Sequence, residues 1–124
     1  MSDKSEIGAL GERLAARYLM EKQYKTIKTN FRQVFGEIDI ITRAPDETLV
    51  FVEVKTLSGG HLSDLNPEDE MTRAKLAKFR KICQFFAARF PKMIDERAGW
   101  RMDVVAIVLD ADGQPRDIRH YENI

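Results

Sequence analysis

The stretch GEIDIITRAPDETLVFVEVK, Gly36 to Lys55, constrains the fold more than any other part of the chain. It holds two apolar runs of strand length around a Pro-Asp turn, and both runs are broken by charge. TLVFVEVKTL is the strongest strand signal in the sequence, and APDET is the turn before it. An antiparallel hairpin symmetric about Asp46 sets Asp39 across from Glu53, Glu37 across from Lys55 and Ile41 across from Phe51. Because side chains alternate, Glu37, Asp39, Ile41, Phe51, Glu53 and Lys55 then share one face. Ile38, Ile40, Val50, Val52 and Val54 share the other. A slip of one residue would part Asp39 from Glu53.

Two carboxylates facing each other on a sheet have Cβ atoms about 5 Å apart, and if both are ionised they repel by roughly 3 kcal/mol at an effective dielectric near 20. A shared proton, the Lys55 ammonium or a bound metal would relieve that repulsion. Lys55 is two residues further along its strand, near enough to help but too far to bridge both acids. A hard divalent cation, Mg²⁺ or Mn²⁺, held by one carboxylate from each strand and keeping several waters, fits better. The plainer alternative is a cross-strand ion pair between Glu37 and Lys55, with Asp39 and Glu53 at a wet sheet end. Spacing alone does not choose between them.

The remaining segments build outward from this hairpin. SEIGALGERLAARYLMEKQY reads as a helix with Ser5 as N-cap and an apolar stripe of Ile7, Leu10, Leu14 and Tyr18. Glu12 lies off that stripe beside Gly8, Ala15, Ala16 and Leu19, a flank of small residues where another element can approach closely. Lys25 to Gln33 and Val34 to Arg43 read as strands, with Gly36 marking a bulge or a close backbone approach. SGGHLSDLNPEDE is a loop containing His61, read as solvated. The second long helix starts either at Pro67 behind Asn66 or at Arg73 behind Thr72. Its stripe is Leu76, Phe79, Ile82, Cys83, Phe86 and Phe90, and Pro91 ends it. WRMDVVAIVLD is a buried strand, with Asp103 read as structural, ADGQP a turn, and RDIRHYE an edge strand in which His120 is structural or at the surface. Helix, three strands, helix, two strands is the order of a mixed sheet flanked by helices.

At 124 residues, with 44% hydrophobic and 32% charged, the chain has the size and composition of one packed domain spanning 1–124. A single cysteine on an apolar stripe, no signal-peptide pattern and no run of 18 apolar residues point to a cytoplasmic protein with no membrane partner. The net charge of zero excludes a protein that coats nucleic acid by overall field alone. The charges are nonetheless segregated. Seven cations and no acid fall between Met71 and Ile94, and four more cations with no acid fall between Lys22 and Arg32. By themselves such runs are usually solvated helix faces. Beside an acidic site they become candidates for holding phosphates.

GALGERLAARYL, GEIDII, VFVEVK and RMDVV, in this order and spacing, resemble the YraN family of small bacterial proteins, part of the PD-(D/E)XK or restriction-endonuclease-like nuclease superfamily. The resemblance spans nearly the whole chain and implies an α/β fold with an αβββαβ core. It implies that Asp39 is the superfamily's motif aspartate, that Glu53 and Lys55 form its E-x-K pair, and that Glu12 is the first-helix glutamate of Holliday-junction-resolvase-like branches. Asp39, Glu53 and Glu12 would then be metal ligands for Mg²⁺ or Mn²⁺. Lys55 would act as base or as electrostatic stabiliser. Lys75, with Arg73 and Lys78 on the same helix, would grip a nucleic-acid backbone. The implied activity is metal-dependent endonucleolytic cleavage of DNA, branched or single-stranded, with low sequence specificity. A homodimer is a possible assembly. The competing readings are a non-catalytic nucleic-acid-binding module and a protein adaptor of a DNA-processing assembly. One departure bears on this choice: relatives commonly follow E-V-K with a polar residue and an arginine, whereas here Thr56 is followed by Leu57.

Overall fold

The computed structural model describes residues 4–58 and 71–124. His61, Gly59, Gly60 and the alternative helix start at Asn66 and Pro67 lie outside the described residues. The element order is α1 (Lys4–Glu21), β1 (Lys25–Gln33), β2 (Gly36–Arg43), β3 (Leu49–Leu57), α2 (Arg73–Arg89), β4 (Trp100–Leu109) and β5 (Pro115–Tyr121). One sheet runs β1-β2-β3-β4-β5, antiparallel except for the β3/β4 pair, which is parallel. That pair requires a crossover, and α2 lies within it.

Alternation along β3 divides the core. Val50 and Val52 pack with Ile40, Val105, Ile107 and the α1 residues Ala15 and Leu19 on one face. Leu49 and Phe51 pack with Ile41, Met102 and the α2 residues Phe79, Ile82, Cys83 and Phe86 on the other. Phe51 is fully buried, and its ring meets Phe86 and Trp100 with centroids 5.5 and 5.3 Å away. Burying such a side chain stabilises the fold by about 1.5–3 kcal/mol.

The helices differ from their sequence-based readings in instructive ways. α2 starts at Arg73, where the Thr72 hydroxyl accepts a hydrogen bond from the Lys75 backbone N–H at 3.2 Å. It ends at Arg89, and Pro91–Met93 form a single 3₁₀ turn. In α1, Lys4 is already helical, so Ser5 stands inside the helix and is not its cap. The side of α1 pressed to the sheet is Gly11, Ala15 and Leu19, at a spacing of four, while Ile7, Leu10, Leu14 and Tyr18 are only half-buried. A Cβ on Gly11 would stand 1.8 Å from the Thr56 Oγ1, so the helix backbone rests directly on β3 there.

Candidate active site

The hairpin register is the one the sequence predicts. Ile40 pairs with Val52, Ile41 with Phe51, Thr42 with Val50 and Arg43 with Leu49. The ladder then stops, one step before Asp39 and Glu53 would face each other. Beyond this point the Asp39 Oδ2 accepts the Val54 backbone N–H at 2.8 Å, so a side chain takes over where the backbone rungs end. Alternation resets at the same place. Ile40 belongs to the α1 face, but Ile38 joins Ile41 on the α2 face, against the expectation that Ile38 shares a face with Ile40. On the neighbouring strand, Asn30 takes a left-handed φ of 53°, a conformation that asparagine tolerates.

Asp39 is therefore pinned in a buried position with only 7% of its surface exposed. Burial is the largest influence on its carboxyl, the Glu53 charge comes next, and Glu12 and Glu37 add to it. Together they outweigh the Val54 hydrogen bond and push the pKa from 3.8 to about 7. Glu53 is also raised, first by burial, although Lys55 opposes the shift. The Lys55 Nζ lies 3.7 Å from the Glu53 Oε1, both side chains mostly covered. Glu37 pairs instead with Arg32 at 3.2 Å, so the plain cross-strand bond between Glu37 and Lys55 does not form.

Glu53 and Lys55 open into a cavity of about 450 Å³ between the β1/β2 turn and α2, where Lys75 and Lys78 form the opposite wall. Arg73, exposed at the first turn of α2, does not line it. Asp39 and Glu12 do not line this cavity; the charges of Glu53 and Glu12 both act on the Asp39 carboxyl, and Glu12 is carried by the helix that Gly11 seats against Thr56. The set is thus assembled from three elements: Glu12 from α1, Asp39 from β2, and Glu53 with Lys55 from β3. Sequence reasoning identified these four residues but missed Gly11, whose signal is the small residue directly before Glu12.

A second polar cluster lies on β4 and β5. The fully buried Asp103 accepts the Arg101 Nε at 3.0 Å, the Asn123 backbone N–H at 3.0 Å and the His120 Nε2 at 2.7 Å. Because a carboxylate can only accept, that His120 nitrogen carries its proton. Arg101 Nη2 also reaches the Tyr24 hydroxyl at 2.8 Å and Glu122 at 3.1 Å. Asp103, His120 and Glu122 each present a potential ligand atom within 4.8 Å of the others, whereas Asp39, Glu53 and Glu12 do not form such a group among the described residues. The guanidinium of Arg101 already sits among these acids, however, which makes the cluster an ion-pair network, although the buried His120 Nδ1 has no hydrogen-bond partner among the described residues. The structural reading of Asp103 matches this arrangement; the partners Tyr24, His120 and Glu122 were not part of that reading.

A helix, a three-stranded antiparallel meander, a helical crossover and a parallel fourth strand, with Asp39 and the Glu53/Lys55 pair where β2 and β3 part, define a restriction-endonuclease-like α/β fold. Comparison with known sequences narrows this class. The uncharacterised protein family UPF0102 matches residues 11–107. The chain is 39% identical to a UPF0102 protein of Beutenbergia cavernae, covering 100% of this chain and 99% of the relative. It is 35% identical to one of Syntrophomonas wolfei, covering 95% and 96%, and 38% identical to one of Geobacter metallireducens, covering 94% and 89%. The chain belongs to UPF0102, the YraN family. No helix among the described residues is long and apolar enough to cross a membrane.

Proposed function

We propose that the protein is a divalent-metal-dependent endonuclease that hydrolyses phosphodiester bonds in DNA with little sequence preference. The observation that carries this reading is Asp39: a buried carboxylate, fixed by Val54 and pressed by the charges of Glu53, Glu12 and Glu37 until its pKa reaches about 7. An acid held in that state suits a hard cation, which relieves the repulsion without protonating the group. Asp39 and Glu53 would hold Mg²⁺ or Mn²⁺, with Glu12 directly or through water. When bound, the ion supplies an acidified water and neutralises charge on the phosphorane-like transition state.

The remaining steps belong to the chain's own groups. Val54 N–H fixes the orientation of Asp39 so that little reorganisation is needed during reaction. Lys55, held beside Glu53 at the cavity wall, presents its ammonium to the attacking water or to a phosphate oxygen. Lys75 and Lys78 across the cavity bind the flanking backbone, with Arg73 extending the cationic surface along α2. Contacts to phosphate carry no base information, which accounts for weak sequence preference and strong salt dependence.

Incubation of the wild-type protein and Glu53→Gln with duplex, flapped, branched and single-stranded DNA in Mn²⁺ or Mg²⁺ tests the reading. Cleavage by the wild type and a loss of about 10³-fold or more in the variant are expected. No cleavage, or equal cleavage by the variant, rejects it. A second reading, a non-catalytic nucleic-acid-binding module, is favoured by Leu57 standing where relatives commonly carry arginine, and by Asp39, Glu53 and Glu12 not forming a ready ligand group among the described residues. Salt-sensitive DNA binding with no metal-dependent cleavage would select it.

A further inference from the structure

The turn joining β1 to β2 carries a feature that hydrolysis alone does not use. Val34 has 107% relative exposure, the most solvent-exposed large apolar side chain among the described residues. Lone exposed apolar residues are ordinary on protein surfaces, so exposure alone decides nothing. Its setting does. The next residue, Phe35, is anchored on α2: its ring meets Phe85 with centroids 5.2 Å apart, and the Lys81 Nζ lies 5.8 Å from the Phe35 ring centroid. Gly36 is seated close enough that a Cβ there would stand 3.5 Å from Ile82. The tip is therefore held by its neighbours while Val34 projects from it.

Val34 also lines the cavity that contains Glu53 and Lys55. Cations flank it on two sides. Lys75 and Lys78 line the cavity with Glu37 and Glu53, and β1 leads away from the tip with Lys28 and Lys25 exposed along it, Arg32 being paired with Glu37. In β1 only Phe31 is buried, so this strand offers an open cationic ribbon. Cations on a strand and on a helix, with an apolar point between them, match the charge of two nucleic-acid backbones meeting at a branch. An apolar side chain at such a point packs against an unstacked base and is repaid by the water it excludes.

Resting on the nuclease reading of the same site, we infer that Val34 is a specificity residue. It packs against the base at a junction between paired and unpaired DNA and places the adjoining phosphate over Glu53 and Lys55. The substrate class is DNA in which a duplex opens into a flap or splayed strands. A continuous duplex keeps its bases stacked and gives Val34 nothing to cover.

The test uses the full chain in EDTA, where binding is read without hydrolysis. The probes are a flapped DNA with 2-aminopurine at the first paired position and a matched continuous duplex. The wild type is expected to bind the flapped probe about tenfold more tightly and to raise its fluorescence, as loss of one base contact of ordinary size implies. Val34→Ser should bring the two affinities within about twofold and remove the fluorescence rise. Equal affinity of the wild type for both probes overturns the inference, as does an undiminished preference in Val34→Ser. In parallel reactions with Mn²⁺ in place of EDTA, cleavage of both DNAs alike, unaffected by Val34→Ser, overturns it while leaving the nuclease reading intact. A Val34-dependent preference without any metal-dependent cleavage supports the junction contact and removes the nuclease reading instead.

Discussion

Asp39 and Asp103 are both buried aspartates on neighbouring parts of one sheet, and their environments drive them in opposite directions. Burial is the largest influence on each and raises both. At Asp103 the hydrogen bonds from His120, Arg101 and Asn123 more than offset it, and the pKa falls below 3.8. Asp39 has one backbone donor and three acidic neighbours, and its pKa climbs to about 7. A buried charge whose lone pairs are filled by the protein is part of the framework. One left short of cations is driven toward its protonated form.

The largest effect should come from breaking the satisfied side. Asp103→Ala strips Arg101 and His120 of their shared acceptor and leaves a mostly buried cation, so unfolding in urea should show a loss of about 4 kcal/mol. Calorimetry of this variant, at a temperature where it remains folded, should still detect Mn²⁺ uptake. Uptake lost with Asp103 but kept in Asp39→Asn would invert the comparison and make the β4/β5 cluster the metal centre.

Asp39→Asn probes the unsatisfied side. The amide retains an acceptor for Val54 N–H and removes the strained charge, so in EDTA at pH 7.5 the variant should be more stable than the wild type, on the order of 3 kcal/mol. Mn²⁺ should stabilise the wild type and not the variant. A destabilised Asp39→Asn would mean that Asp39 is framework after all, no different in kind from Asp103.

Gly11→Ala should cost about 2 kcal/mol by overpacking, because the added methyl group meets Thr56 and lifts α1 from β3. It should also weaken Mn²⁺ uptake by shifting Glu12 away from Asp39. Unchanged uptake would remove Glu12 from the site. This position also marks how far the sequence could be read. Strand periodicity and the Pro-Asp turn were enough to set the four β2/β3 pairs from Arg43–Leu49 to Ile40–Val52, but the pairing of Asp39 with Glu53 and of Glu37 with Lys55 that the same register predicts does not form. The seating of α1 was not legible, because glycine and alanine carry little hydrophobic weight yet permit the closest approach, so Gly11, Ala15 and Leu19 face the sheet in place of the bulkier Leu10, Leu14 and Tyr18. Ile38 changed faces for a similar reason: alternation assumes an unbroken ladder, and the Asp39 bond to Val54 ends it. The Asp103 network joins residues 77 and 98 positions apart in sequence, Arg101 with Tyr24 and Tyr24 with Glu122, which no local pattern reports.

The smallest expected effect separates the two aspartates by sign. A carboxyl whose folded pKa is raised leaves the native state holding a proton that the unfolded chain has released. Its contribution to stability is therefore full below 3.8 and declines as pH rises toward about 7. A depressed carboxyl does the reverse, stabilising above 3.8 and losing that contribution as acid protonates it. In EDTA, the stability difference between wild type and Asp39→Asn should shift by about 1 kcal/mol between pH 6 and 7.5, with the wild type losing ground as pH rises. Below pH 4 the two proteins should lose stability together, since both retain Asp103. Saturating Mn²⁺ should flatten the upper window and leave the acid limb unchanged, because a cation that favours the ionised acid cancels the proton's advantage at Asp39 and has no place at Asp103, where Arg101 already stands. An upper window unmoved by Mn²⁺ would mean that the charges around Asp39 are not balanced by metal.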